Sequence, residues 1–314
     1  MLLFPLPHSD VNAQSRVYRS AFLGILIRVN RADTLAPGSA STAASPLTVA
    51  ATSAALPPST SAAITLIHDY YTGVVPPTPT AVDHSIDACP AATRALLQFA
   101  DDIGRAVGYD REQDGRLIQD IFPVATSERA QVSTSSKVML GSHTETAFHP
   151  HKPRYVVLLC LRGDPQAATT YADVNDVVQH LSPDHLEVLQ TSEFVTTVDP
   201  SFMTHGEPDA RVVVTPLTRR RNDWVLVYDE LLMSATTARA SLALTALHAA
   251  VKQSTKLVVL RSGDLLVIDN HRAVHGRTPF VPRYDGTDRW LKRSLVISKD
   301  STIATLDRVV QTML

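Results

Sequence analysis

The sequence predicts a mainly β protein with flanking helices, a sandwich or jelly roll rather than a parallel α/β sheet. Three observations carry this reading. Short β-rich runs recur along the chain, the few helical patterns between them do not alternate with strands in βαβ order, and no internal repeat interrupts the series. The chain has 314 residues, of which 44% are hydrophobic and 19% charged, enough apolar side chains for a sizeable core.

Taken in order, the first 62 residues stand apart. From Leu35 to about Ala63 the chain is a tract of Ala, Ser, Thr and Pro with few side chains able to anchor a core. Residues 1–62 therefore read as an N-terminal extension ending in a flexible linker, and residues 63–314 as one domain. Ala63 to His68 is a short strand that stops before the Pro76-Pro77 turn. Ala92 to Val107 places Leu96, Leu97, Phe99, Ala100, Ile103 and Val107 on one helical face, with Gly108 as the stop. Ser182 followed by Pro183 is an N-cap and first helical position, and a third helix spans Thr236 to Lys252. Strands are expected at Arg154–Cys160, Ala210–Thr215, Trp224–Tyr228, Lys256–Leu260, Asp264–Asp269 and Trp290–Ser298. Arg219 to Arg221 reads as a solvated loop.

Charge and cysteine usage exclude several classes of function. Twenty-nine Lys and Arg against 31 Asp and Glu leave a formal charge of −2, which supplies no field to gather nucleic acid or an anionic membrane. Cys89 and Cys160 are too few for a disulfide scaffold, so a reducing, cytoplasmic setting is expected. The apolar run Ala21 to Ile27 is about a third of what a membrane span needs.

Two stretches concentrate metal-ligand residue types. In Gly141-Ser142-His143-Thr144-Glu145, an extended backbone would point His143 and Glu145 to the same side. In Asp269-Asn270-His271-Arg272-Ala273-Val274-His275-Gly276-Arg277, an apolar strand runs into a polar turn that offers two more histidines. Two imidazoles and one carboxylate on one face of an octahedron leave three positions open, the arrangement of non-haem Fe(II) oxygenases, with zinc as the competing ion. The next strand adds the decisive feature. Period two places Arg289, Leu291, Arg293 and Leu295 on one face and Trp290, Lys292 and Ser294 on the other. Two guanidiniums on an apolar face call for anions, and the guanidinium fork of Arg289 matches a carboxylate bidentately.

This ordered set, with Arg289 fourteen residues beyond His275, resembles the Fe(II)- and 2-oxoglutarate-dependent oxygenases of the clavaminate synthase type. That group includes hydroxylases of free arginine and asparagine used in making peptide antibiotics. The resemblance covers approximately Ala92 to Ser298 and extends to Gln113–Val124, His149–Val156 and Ala167–Thr169. It implies a double-stranded β-helix (jelly roll) core, with His143, Glu145 and His275 binding Fe(II). It further implies that Arg289, assisted by Thr169, holds the 2-oxoglutarate carboxylate, and that O2 is the oxidant. Arg293 resembles the arginine that pairs with the substrate α-carboxylate, Gln113 the polar group near its amino group, and Asp229 the acid that reads its side chain. The position where arginine-specific members carry a second aspartate holds Leu231, so guanidinium recognition is not implied. Glu145 itself argues against halogenation, since related halogenases carry a small residue there. The implied reaction is hydroxylation at C3 or C4 of a free polar or basic L-amino acid, with desaturation or ring closure possible on the same scaffold. The competing expectations are a taurine-dioxygenase-like enzyme of a small acid, a zinc hydrolase, and a catalytically silent metal-binding barrel. His149 and His151 read as structural, and Cys160 as core.

Overall fold

The computed structural model describes residues 62–83, 86–203, 210–303 and 308–310. The expected extension, residues 1–62, lies almost entirely outside them. The chain runs β1 (Ile64–Ile67), α1 (Pro90–Ile103), β2 (Arg105–Tyr109), β3 (Ile118–Ile121), β4 (Leu140–His143), β5 (Tyr155–Arg162) and β6 (Thr169–Asp173). Next come α2 (Val174–Val178), α3 (Pro183–Leu189), β7 (Phe194–Thr197), β8 (Arg211–Val214), β9 (Leu217–Arg220), β10 (Asp223–Leu226), β11 (Met233–Ala235) and α4 (Ala238–Ser254). The last are β12 (Lys256–Val258), β13 (Leu265–Asp269), β14 (Ala273–Arg277), β15 (Trp290–Ile297) and β16 (Val309–Val310).

A large sheet orders β1-β13-β5-β15-β2-β16, with β3 also paired to β15, and a smaller one orders β12-β6-β14-β4. Both faces of the large sheet are covered. Trp290 and Val296 of β15 pack on one side with Leu96, Phe99 and Ala100 of α1, and Leu291, Leu295 and Ile297 pack on the other. The alternation expected for β15 therefore holds. Lys292, on the α1 side and 1% exposed, is matched by Asp87 at 3.0 Å and Asp120 at 2.9 Å, which makes its burial tolerable. The small sheet turns Ala172 and Val274 toward α4, where Leu244 and Leu247 cover them. Its other face carries His143, Tyr171 and His275, because β14 pairs His275 with both His143 and Tyr171, and directly opposed residues share a face.

The helix starts follow the sequence reading. Ser182 Oγ accepts from the His185 amide and Thr237 Oγ1 from the Ala240 amide. The first helix differs. It ends at Ile103, not Val107, and Arg105–Tyr109 is a strand whose Ala106 and Val107 pair with Val296 and Leu295. Gly104 makes the change of course possible, since a Cβ there would lie 2.4 Å from the Ile297 carbonyl oxygen. Arg219 and Arg220 also differ from expectation, forming part of a β9–β10 hairpin turned at Arg221, whose φ is +55°. Among the described residues no helix is long and apolar enough to cross a membrane.

Candidate active site

His143 is the last residue of β4 and His275 the centre of β14, and their pairing sets the two rings 4.5 Å apart, centroid to centroid. Glu145 reaches them differently from the extended geometry expected. The strand stops at His143 and Glu145 enters a turn in which Thr146 takes φ +51°. Asn270, between β13 and β14, holds that turn: its Oδ1 accepts from the Glu145 amide at 2.8 Å and its Nδ2 donates to the Glu145 carbonyl at 3.1 Å. The ligand-capable atoms of His143, Glu145 and His275 lie within 4.8 Å of one another, and His275 Nε2 is 3.6 Å from Glu145 Oε2.

The donor set fits a divalent iron. His143 Nδ1 lies 2.9 Å from the Gly141 carbonyl, which can only accept, so Nδ1 carries the proton and Nε2 presents a lone pair. Burial keeps the His275 imidazole below its ordinary value, which favours the neutral form a ligand must have. Burial alone would raise the Glu145 carboxyl. The Arg293 guanidinium and a hydrogen bond from His275 outweigh it and hold the group well below the carboxylate range.

Arg293 lies beside this cluster on the inner face of β15. Its Nη1 donates to both Glu145 oxygens at 3.0 Å, its Nε donates to Gln119 Oε1 at 2.8 Å, and its Nη2 reaches Glu112 and Gln119. Burial disfavours the Arg293 charge, and the two glutamates more than restore it. Glu112 is pushed up, chiefly by burial, and its Oε2 meets no partner among the described residues. Two carboxylates against one guanidinium leave an excess of negative charge, which a bound dication would offset.

Arg289 is equally buried, at 5% exposure, but no hydrogen bond or ion pair joins its side chain to another described residue. Burial lowers it below its ordinary value. Asp164, the acid whose field acts on it, already accepts from Arg283 at 3.1 Å. Arg277, pushed down to about 9 by burial and by the Arg289 charge, donates to the carbonyls of Ser133, Ser135 and Val138 and likewise has no carboxylate. A buried cation in this state calls for an anion, and a dicarboxylate is one. Thr169 pairs with Arg277 across β6 and β14, on the same face as His275 and two residues along the strand from Tyr171.

Of the remaining expected site residues, Asp229 forms an isolated bridge with His143, while its Oδ1 caps a turn by accepting from the Leu231 and Leu232 amides at 2.9 and 2.8 Å. Gln113 sits elsewhere. It lines a small cavity with Asp120 and Phe122, and no triad residue lines that cavity. The polar groups that do touch Arg293 are its neighbour Glu112 and Gln119. Period two along β3, with Ile118 and Asp120 outward and Gln119 and Ile121 inward, was the available signal for Gln119. His271 is not part of the cluster, its Nδ1 lying 3.1 Å from Arg154 Nη1. His149 is fully buried, its Nδ1 accepting from the His151 amide, and Cys160 is buried in the core.

Comparison with known proteins gives a consistent picture. The family described as taurine catabolism dioxygenase TauD, TfdA matches residues 85–295. The chain is 37% identical to the L-lysine 3-hydroxylase of Catenulispora acidiphila over 72% of its own length and 64% of that relative's. It is 38% identical to the L-asparagine oxygenase of Streptomyces coelicolor over 71% and 67%. Among solved structures, an asparagine oxygenase in complex with Fe(II), 2S,3S-3-hydroxyasparagine and succinate superposes with a TM-score of 0.72 at 34% identity, covering 80% of each chain. The non-haem iron oxygenase OrfP with Fe, succinate and (3S)-hydroxy-L-Arg gives 0.72 at 30% identity, covering 80% of this chain and 82% of that one.

Proposed function

The chain belongs to the TauD/TfdA dioxygenase family, and from that premise we propose that it is a non-haem Fe(II)- and 2-oxoglutarate-dependent hydroxylase of a free polar or basic L-amino acid. The proposed site of oxidation is an unactivated C–H bond at C3 or C4, in the service of natural-product biosynthesis. One observation supports the reading most: beside a two-histidine, one-carboxylate cluster, the strand that carries His275 also carries Arg277, and the charge of Arg277's neighbour Arg289 is buried with no anion among the described residues. The relatives that bear on the substrate are hydroxylases of lysine and of ornithine or arginine, and an oxygenase of asparagine.

In this reading His143, Glu145 and His275 hold the iron and Arg289 and Thr169 hold the 2-oxoglutarate carboxylate. The chemistry supplied there is oxidative decarboxylation of 2-oxoglutarate to succinate and CO2, coupled to insertion of one oxygen atom into the substrate C–H bond. The chain's own residues bind, orient and exclude water. Arg293 offers a guanidinium to the substrate α-carboxylate while keeping Glu145 ionised. Glu112, whose Oε2 meets no partner among the described residues, is the better placed group for the substrate amine; Gln113, the expected one, lines the small cavity beside Asp120 and Phe122. Asp229, next to His143, bounds the side-chain end. Residues 63–314 make up the oxygenase domain, and the opposed sheets support a double-stranded β-helix core.

The test is succinate release from the Fe(II)-loaded protein offered lysine, ornithine, arginine, asparagine and the remaining amino acids in turn, with mass detection of the product. The reading expects one amino acid to stimulate succinate formation and to gain one oxygen atom. A taurine-like preference for small acids lacking an amine would replace it with the rival reading, and activity that persists without O2 would point to a hydrolase.

A further inference from the structure

A second cavity, of about 810 Å³, lies where β10, the β13–β14 turn and the end of β15 come together, and none of the triad residues lines it. Its charged lining is basic, Lys152, Arg154 and Arg220, accompanied by His151 and His271 and by neutral hydroxyl residues such as Thr218 and Ser298. Among the described residues no acidic side chain lines it. Asp269, behind the wall, accepts from Arg154 Nη2 at 2.6 Å and accounts for that one charge. Lys152 donates to the His149 carbonyl at 2.9 Å, an uncharged partner, and the exposed Arg220 side chain has no hydrogen-bond or ion-pair partner among the described residues. The cations also act on one another. Lys152 is pushed down to about 8 by burial and the Arg220 charge, and His271 down to about 4 by burial and the charges of Arg154, Arg220 and Lys152. Like charges held this close on a chain of net charge −2 are a standing cost that an anion would relieve.

The lining also carries aliphatic and aromatic side chains, among them Phe148, Val225, Val227 and Ile297. The volume suits a small molecule, and a lining that combines cations with apolar side chains suits an amphipathic one. We infer that this cleft binds a phosphate monoester with an apolar body, its phosphate between Lys152, Arg154 and Arg220 and its body against Phe148 and Ile297. Phosphate answers the wall better than a single carboxylate does, because three separate cationic groups can each donate to a different oxygen. Phe148 connects the cleft to the active-site side of the core, since its ring stacks edge-on against Phe202 at 5.0 Å and lies three residues beyond Glu145. The inference does not depend on the iron reading, and its test requires no turnover.

The experiment is equilibrium binding of phenyl phosphate to the full chain, loaded with Fe(II) under anaerobic conditions and saturated with 2-oxoglutarate so that Arg289 and the metal are occupied. Inorganic phosphate and phenol serve as the two half-probes. Saturable binding of phenyl phosphate is expected, about tenfold or more tighter than either half-probe, weakening with added salt. Arg220→Gln, an exposed substitution on the β9–β10 hairpin, should weaken it about tenfold, the worth of one charge-assisted hydrogen bond, with the melting temperature unchanged. Lys152→Gln should do the same, and its melting temperature separates loss of a ligand contact from loss of fold. Absence of saturable binding, equal binding of phenol, or affinity untouched by Arg220→Gln would each overturn the inference.

Discussion

Arg293 Nη1 donates to both oxygens of Glu145 at 3.0 Å, so the residue expected to read the substrate also fixes the one carboxylate in the metal cluster. The proposed roles in substrate recognition and metal ligation thereby meet at a single guanidinium. Arg293→Met should leave Glu112 and Glu145 buried without their cation, a loss of about 3–5 kcal/mol. The check is chemical denaturation of the metal-free protein, together with a metal titration in which affinity falls about 10–100-fold. A variant as stable as the parent, with unchanged metal affinity, would show that the pair is incidental.

Arg289 supports a separable prediction. Because its guanidinium meets no anion among the described residues, Arg289→Ala removes a buried charge rather than orphaning a carboxylate, and the fold should tolerate it. The KM for 2-oxoglutarate should rise about 100-fold or more, with Fe(II) affinity nearly unchanged, as expected for loss of a bidentate carboxylate clamp. Arg289→Lys should recover only part of the loss, since an ammonium cannot reproduce the fork.

Glu112 and Gln113 are adjacent in sequence, but Glu112 touches Arg293 whereas Gln113 lines the small cavity beside Asp120, which makes them a matched pair for locating the amine reader. Glu112→Gln should raise the amino-acid KM about tenfold or more and leave the 2-oxoglutarate KM in place. Gln113→Ala should change neither by more than about twofold. Steady-state kinetics with each substrate varied in turn decides between them, and the reverse pattern would restore the sequence expectation.

His271 predicts a pH dependence. Its imidazole is held down to about 4, first by burial and then by Arg154, Arg220 and Lys152, against an ordinary 6.5. Between those values the unfolded chain takes up a proton that the folded chain refuses, so this group weakens folding as pH falls from about 6.5 toward 4. His271→Gln removes that contribution. Its stability relative to the parent, measured by denaturant melts at pH 7 and pH 5, should be higher at pH 5, and parallel profiles would refute the assignment.

Much of this was legible from residue patterns because the relevant physics is local. Alternation from Arg289 to Ser298 puts Arg289 and Arg293 on one face with Leu291 and Leu295, and the Ser182 cap announces its helix. What escaped detection depended on partners distant in sequence. Val107 fits a helical face as well as a strand, and only its pairing with Leu295, together with the close approach at Gly104, selects the strand. Glu145 looked like the second tooth of an extended comb. Its true position comes from the turn that Asn270 holds across 125 residues. Gln113 is the residue that the resemblance names in this stretch, whereas Glu112 and Gln119 are the side chains that touch Arg293, and the positive φ of Gln113 and Asp114 redirects the chain between them.

The central claim is that His143, Glu145 and His275 hold one ferrous ion beside a 2-oxoglutarate clamped by Arg289. Anaerobic titration of the metal-free protein with Fe(II) in the presence of 2-oxoglutarate tests it most directly through the visible metal-to-ligand charge-transfer band. The account predicts a band that saturates at one equivalent, disappears in His275→Ala, and in Arg289→Ala appears only at much higher 2-oxoglutarate. A protein that develops no band, or whose band survives loss of His143 or His275, would contradict it.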